Sequence, residues 1–120
     1  MGKVLSATAI LAAQDLEIVR EEIPEWKDDE GNPGVVLIHE LNAEDSLLVA
    51  RETDTLDKAN DGMYIFTVYC CKDEDGNRLF SMDDIPALRK KSFRVLNRLQ
   101  RIALRLNKME VPQEVALKKD

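Results

Sequence analysis

Residues 92–107 constrain the fold more than any other stretch of the chain. Phe93, Leu96, Leu99, Ala103 and Leu106 recur at spacings of three and four, and Val95, Ile102 and Leu104 widen the same side. That is the period of an amphipathic helix. Arg94, Arg98, Arg101 and Arg105 recur at the same spacing on another face. Sixteen helical residues would span about 24 Å. Burying Phe93, Leu96, Leu99 or Leu106 stabilises by about 1.5–3 kcal/mol each, whereas an exposed arginine pair contributes only ~0.5 kcal/mol. The apolar side therefore makes the fold, and the arginines are left for recognition.

Charge is divided unevenly along the 120 residues. The whole chain carries 17 basic and 23 acidic side chains, a net charge of −6. Residues 1–86 hold 20 acidic and 7 basic side chains, and residues 87–120 hold 3 acidic and 10 basic. The basic third does not predict nucleic acid, because the acidic remainder repels phosphate and no aromatic residues are set among the arginines. Two other arrangements fit. The unlike regions attract each other within one molecule, or the acidic face of one copy meets the basic face of the next. Solvated, unpartnered charge is the third reading. The length suits one domain, and the 44 % apolar content argues against wholesale disorder.

The chemistry of catalysis is missing from the pattern. The five glycines form no phosphate-binding loop, and the single histidine, His39, has no nucleophile beside it. Cys70 and Cys71 are adjacent, which suits neither a disulfide framework nor a metal site, and they read as reduced, partly buried thiols. Asp73-Glu74-Asp75-Gly76-Asn77 resembles a calcium loop, but the first and twelfth positions would be Cys71 and Met82, so it reads as a turn. No cofactor, no metal and no enzyme are expected. No apolar run reaches the roughly 18–20 residues of a membrane span. Residues 1–13 are a weak match to a signal peptide and read better as a short helix, so a soluble, cytoplasmic chain is expected.

The remaining elements follow from local signals. Ser6 caps a short helix over 6–14. Residues 16–26 and 35–41 predict a β-hairpin across a polar turn. Ile18 and Ile23 lie on opposite parities, which predicts a bulge, and Pro24 marks an edge. Asn42 starts a helix running to about Thr53, with Asp45 as its capping-box partner. Asp57–Asn60 offers one turn of helix. Residues 63–71 are apolar on every side, so periodicity is silent, and their β-branched and aromatic content reads as a buried strand. Ser81 and Asp84 form a capping box for a helix ending near Lys90. Trp26 is a candidate protein contact, though a tryptophan at the edge of a core is the commoner case.

Several segments together resemble the tail assembly chaperone family of long-tailed bacteriophages. They are Ala9-Ile10-Leu11-Ala12-Ala13, Asp15-Leu16, Ile23-Pro24-Glu25-Trp26 and Leu41-Asn42-Ala43-Glu44 in the first half. In the second half they are Asp73–Phe80, Asp83–Leu88, Lys91-Ser92 and Leu106-Asn107. The resemblance implies that residues 63–71 are helical, against their composition, with Asn60 or Asp61 as cap. It implies a non-enzyme that binds the tape measure protein and keeps it soluble. It also implies recruitment of tail tube subunits, action in the host cytoplasm and absence from the mature virion. Many members are made in two forms by frameshifting, for which Lys118-Lys119 is a possible site.

The expected architecture is α+β. It is a predominantly helical single domain over residues 1–107, with a small N-terminal β-hairpin and a long C-terminal amphipathic helix, followed by a flexible tail over 108–120. A homo-oligomer is expected, with Arg94, Arg98, Arg101, Arg105 and Trp26 as protein-binding candidates and with no nucleic-acid or membrane partner. The competing readings are a small phage-encoded regulator or inhibitor of a host protein and a minor virion tail or connector component.

Overall fold

The computed structural model describes residues 2–55 and 62–109. The expectations placed on Asp57–Asp61 and on 110–120, including most of the tail and Lys118-Lys119, lie outside the described residues.

Helix α1 (Ala7–Ala12) opens the chain, and the Ser6 hydroxyl accepts from the Ala9 N–H at 3.1 Å. Strand β1 (Ile18–Lys27) then pairs antiparallel with β2 (Pro33–His39). The register runs from Ile18↔His39 to Ile23↔Gly34 and resumes at Lys27↔Pro33, so Pro24, Glu25 and Trp26 bulge out of the ladder. The irregularity thus falls after Ile23 rather than between Ile18 and Ile23. Ile18 simply faces solvent, and Pro24 has no N–H to give to the ladder. Val19, Glu21 and Ile23 face inward before the bulge, and Trp26 packs against the core after it.

Helix α2 (Ala43–Thr55) starts at Asn42, whose Oδ1 accepts from the Asp45 N–H at 2.7 Å. Helix α3 (Gly62–Cys70) follows the undescribed segment and passes directly into β3 (Cys71–Lys72). Six consecutive residues of α3, from Ile65 to Cys70, are buried between α2, α4 and α5. A helix enclosed on every side shows no period, which is why composition pointed wrongly to a strand. A 3-10 turn (Met82–Asp84) leads into α4 (Ile85–Leu88), and Ser81 N–H donates to Asp84 Oδ2 at 2.8 Å.

Helix α5 (Phe93–Leu106) packs along α3 and across β1 and β2. Val95, Leu96, Leu99, Ala103, Leu104 and Leu106 are buried against Ile23, Ile38, Ile65 and Val68. Phe93, assigned by its spacing to the same apolar face, is instead 65 % exposed, because it lies at the first residue of the helix, beyond the end of the core.

The expected architecture needs correction beyond its α+β class. Among the described residues no long C-terminal helix is seen: α5 has 14 residues, one more than the 13 of α2. Asn107 Nδ2 donates to the Ala103 carbonyl at 2.8 Å, and Lys108 turns into the left-handed region at φ 60°, which closes the helix. The β part is a three-stranded antiparallel sheet, β1-β2-β3, rather than a lone hairpin, because Cys71 and Lys72 pair with Ile38 and Leu37.

The two acidic loops are built alike. In Asp28–Asn32 the Asp28 carboxylate accepts from the N–H groups of Glu30 and Asn32, both at 2.9 Å. In Asp73–Asn77 the Asp73 carboxylate accepts from Asp75 and Asn77, again at 2.9 Å. Gly31 and Gly76 occupy the positive-φ position in each, at 84° and 86°. These bonds hold the Asp73 carboxyl below its ordinary range, with the Asn77 N–H the largest cause. The calcium-like pattern is therefore a hairpin turn satisfied by its own backbone.

Candidate interaction surfaces

Helix α5 presents two faces of different character. Its leucines are buried, and its arginines border a shallow groove lined by Phe93, Arg94, Asn97, Arg98, Arg101, Ile102 and Arg105. The four arginines are not equivalent. Arg98 reaches back to β1, with Nη2 3.0 Å from Glu25 Oε1 and Nε 3.8 Å from Glu21 Oε2. The Arg98 guanidinium holds the Glu25 carboxyl below its ordinary range. For this residue the attraction between acidic and basic regions is made within one molecule. Arg94 is exposed, and Arg101 is half-buried with its Nε lacking a hydrogen-bond partner. Arg105 is exposed in the last helical turn, where the helix dipole favours a cation. Trp26 is half-buried beside the core, and its carbonyl is so close to Gly34 that a Cβ there would collide with it.

A polar cleft of about 740 Å³ lies where β3, α2 and the Asp73 loop meet. Its buried wall is the ion pair of Lys72 Nζ with Asp45 Oδ2 at 2.7 Å, and Arg78 lies over the Tyr69 ring at 4.6 Å. Asp45 thus pairs with the third strand rather than closing the α2 capping box. His39 is also buried, with Nε2 unpartnered; burial, then the Lys72 charge, lowers its pKa. Burial pushes the Cys70 and Cys71 thiols up to about 12, and both cysteines are free. Among the described residues no group of three His, Cys, Asp or Glu side chains could hold a metal, and no helix is long and apolar enough to cross a membrane.

A third hollow, of about 450 Å³, runs between α2, α3 and α5. Val49, Met63, Phe66, Leu104 and Met109 make its apolar lining. At its edge Leu41 N–H donates to Asn107 Oδ1 at 2.9 Å, so one side chain ends α5 and fixes the entry to α2. Periodicity marks neither this clamp nor the groove, since both join residues far apart in the chain.

The arrangement suits contact with other proteins: a charged groove, a charged cleft and an apolar groove on one small α+β domain. No family model matches the sequence. No curated protein matches it either. The solved structure of the bacteriophage HK97 tail assembly chaperone does, at a TM-score of 0.56 and 22 % identity, over 82 % of this chain and 90 % of that one. The chain thus shares its fold with a phage tail assembly chaperone.

Proposed function

We propose that the chain is itself a non-enzymatic tail assembly chaperone, which binds the tape measure protein, keeps it soluble and helps recruit tail tube subunits around it. The single observation behind this reading is the fold likeness to the HK97 chaperone across most of both chains. The surfaces suit the task. An apolar groove between helices accepts one face of an amphipathic client helix. Repeated copies along a long client gain strength from multivalency, and unlike charged faces permit head-to-tail contacts between copies.

In this reading the domain over 1–107 acts in the host cytoplasm, as an oligomer, and is absent from the finished particle. Arg94 and Arg101 dock a neighbouring copy, Arg105 extends the same row, and Trp26 borders it. Arg98 seats α5 on β1 and shapes the groove from within.

Co-expression with a tape measure protein tests the proposal. The soluble yield of that protein should rise several-fold and the two should co-purify. Unchanged yield, or the chain found in purified virions by mass spectrometry, would overturn it.

A further inference from the structure

Helix α5 ends by delivering the chain to the α2/α3/α5 groove. Lys108 takes the left-handed conformation at φ 60°, and the Met109 N–H reaches back to the Leu104 carbonyl at 2.8 Å. This cap folds the residue after the turn back against the last turn of the helix. Leu104 and Met109 both line the groove, so the last described residue lies in its wall, 47 % exposed. Met63 and Phe66 of α3 and Val49 of α2 line the same hollow.

The residues that come next suit that hollow. Val111, Val115 and Leu117 follow Met109 within eight positions. Eight residues reach at most about 27 Å, longer than α5 itself at about 21 Å. Closing so short a loop costs little entropy, and the tether raises the local concentration of these side chains to about the millimolar range. Among the described residues the one charged side chain lining the groove is Asp54, and Lys118 and Lys119 follow Leu117 with the opposite charge.

The other hollows receive the chain less well. One of about 290 Å³ lies between β1 and the end of α5, with Val19, Ile102 and Leu106 ringed by Glu17, Arg105 and Lys108. Lys108 borders it, but the turn at Lys108 carries Met109 into the α2/α3/α5 groove instead. No residue past Arg105 lines the polar cleft or the arginine groove.

We propose that residues 110–117 fold back over the α2/α3/α5 groove of their own chain, with Val115 and Leu117 against Met63 and Phe66, and hold it closed until a client helix displaces them. The displacement by a client rests on the chaperone reading above; the contact itself does not.

Nuclear magnetic resonance of isotope-labelled methionine methyls in the full chain reads it. Met63 lines the groove, and Met82 lines the polar cleft and serves as the internal control. In a segment variant, Val115→Asp with Leu117→Asp, the Met63 signal should move by more than its line width while Met82 stays. The difference should persist on ten-fold dilution, because the contact lies within one chain. A synthetic peptide with the sequence of residues 110–119 should return the Met63 signal of this variant to its parental position. It should fail to do so once Ala50→Arg is added. Ala50 and Thr53 both line the groove and are exposed, so Thr53→Arg takes its place if that variant does not fold. An unmoved Met63, a peptide without effect, or one that acts despite the new arginine would overturn the proposal. So would a difference lost on dilution, which would seat the segment in a second copy. No tape measure protein enters these measurements. Loss of this contact would leave the chaperone reading standing, and failed co-expression would leave the contact standing.

Discussion

Lys72 Nζ lies 2.7 Å from Asp45 Oδ2, and the two side chains are only 9 % and 12 % exposed. This pair ties the two-residue strand β3 to the first turn of α2. Removing one partner strands the other charge out of water, which costs about 3 kcal/mol. Lys72→Met should therefore lower stability by about that much in urea unfolding. Adding Asp45→Leu should restore most of the loss, because the desolvation penalty of the lone carboxylate disappears with it. A single variant as stable as the parent would show that the pair does not lock the strand.

Stability should fall on mild acidification because of His39. Its folded pKa is lowered, by burial first and by the Lys72 charge second. The unfolded chain therefore takes up the proton more readily, at about pH 6.5, and stability rises with pH across that window. Going from pH 7.5 to pH 5.5 should lower the melting temperature by several degrees, and His39→Gln should flatten that slope. The Glu25 and Asp73 carboxyls are lowered instead, so their contribution is lost only further down, as pH falls below about 4.5. An identical slope in His39→Gln would assign the effect elsewhere.

The two cysteines should be inert in the folded protein. Both thiols are buried and pushed up to about 12, so almost no thiolate exists at neutral pH. Reaction with a disulfide reagent at pH 8 should proceed no faster than unfolding, with both thiols released together in urea. Fast labelling of either one in native buffer would show that α3 opens locally.

Gly34 should tolerate no side chain. A Cβ there would meet the Trp26 carbonyl across the bulge, a backbone atom that cannot step aside. Gly34→Ala should cost about 2 kcal/mol, in the range of overpacking a core, and lower the melting temperature accordingly. Gly76→Ala, at φ 86° but with open space around it, should cost about 1 kcal/mol through backbone strain alone. Equal effects from the two would mean that the bulge relaxes.

The arginine row should separate into internal and external members. Arg94→Glu with Arg101→Glu should weaken self-association while leaving the monomer folded, as measured by light scattering and circular dichroism. Arg98→Ala should instead lower monomer stability slightly and leave self-association in place, since its pair with Glu25 is part-exposed and screened by solvent. Unchanged oligomer mass in the double variant would remove this face from assembly.

The elements whose role is local were legible in the sequence. Ser6, Asn42 and the Ser81–Asp84 pair start helices because a side-chain acceptor or a backbone N–H lies within three residues. The leucines of α5 declare their face because a half-buried helix repeats its environment at its own period. The three-stranded sheet, the helical state of 63–70, the buried Lys72–Asp45 pair and the Asn107 clamp onto Leu41 depended on tertiary structure. A segment buried on all sides carries no period, and two residues become a strand only beside an existing edge. A charge pair or hydrogen bond between residues dozens of positions apart is set by where packing brings them. For the same reason the spacing of the arginines placed them on one face, while only the approach of β1 determined that Arg98 would be engaged within its own chain.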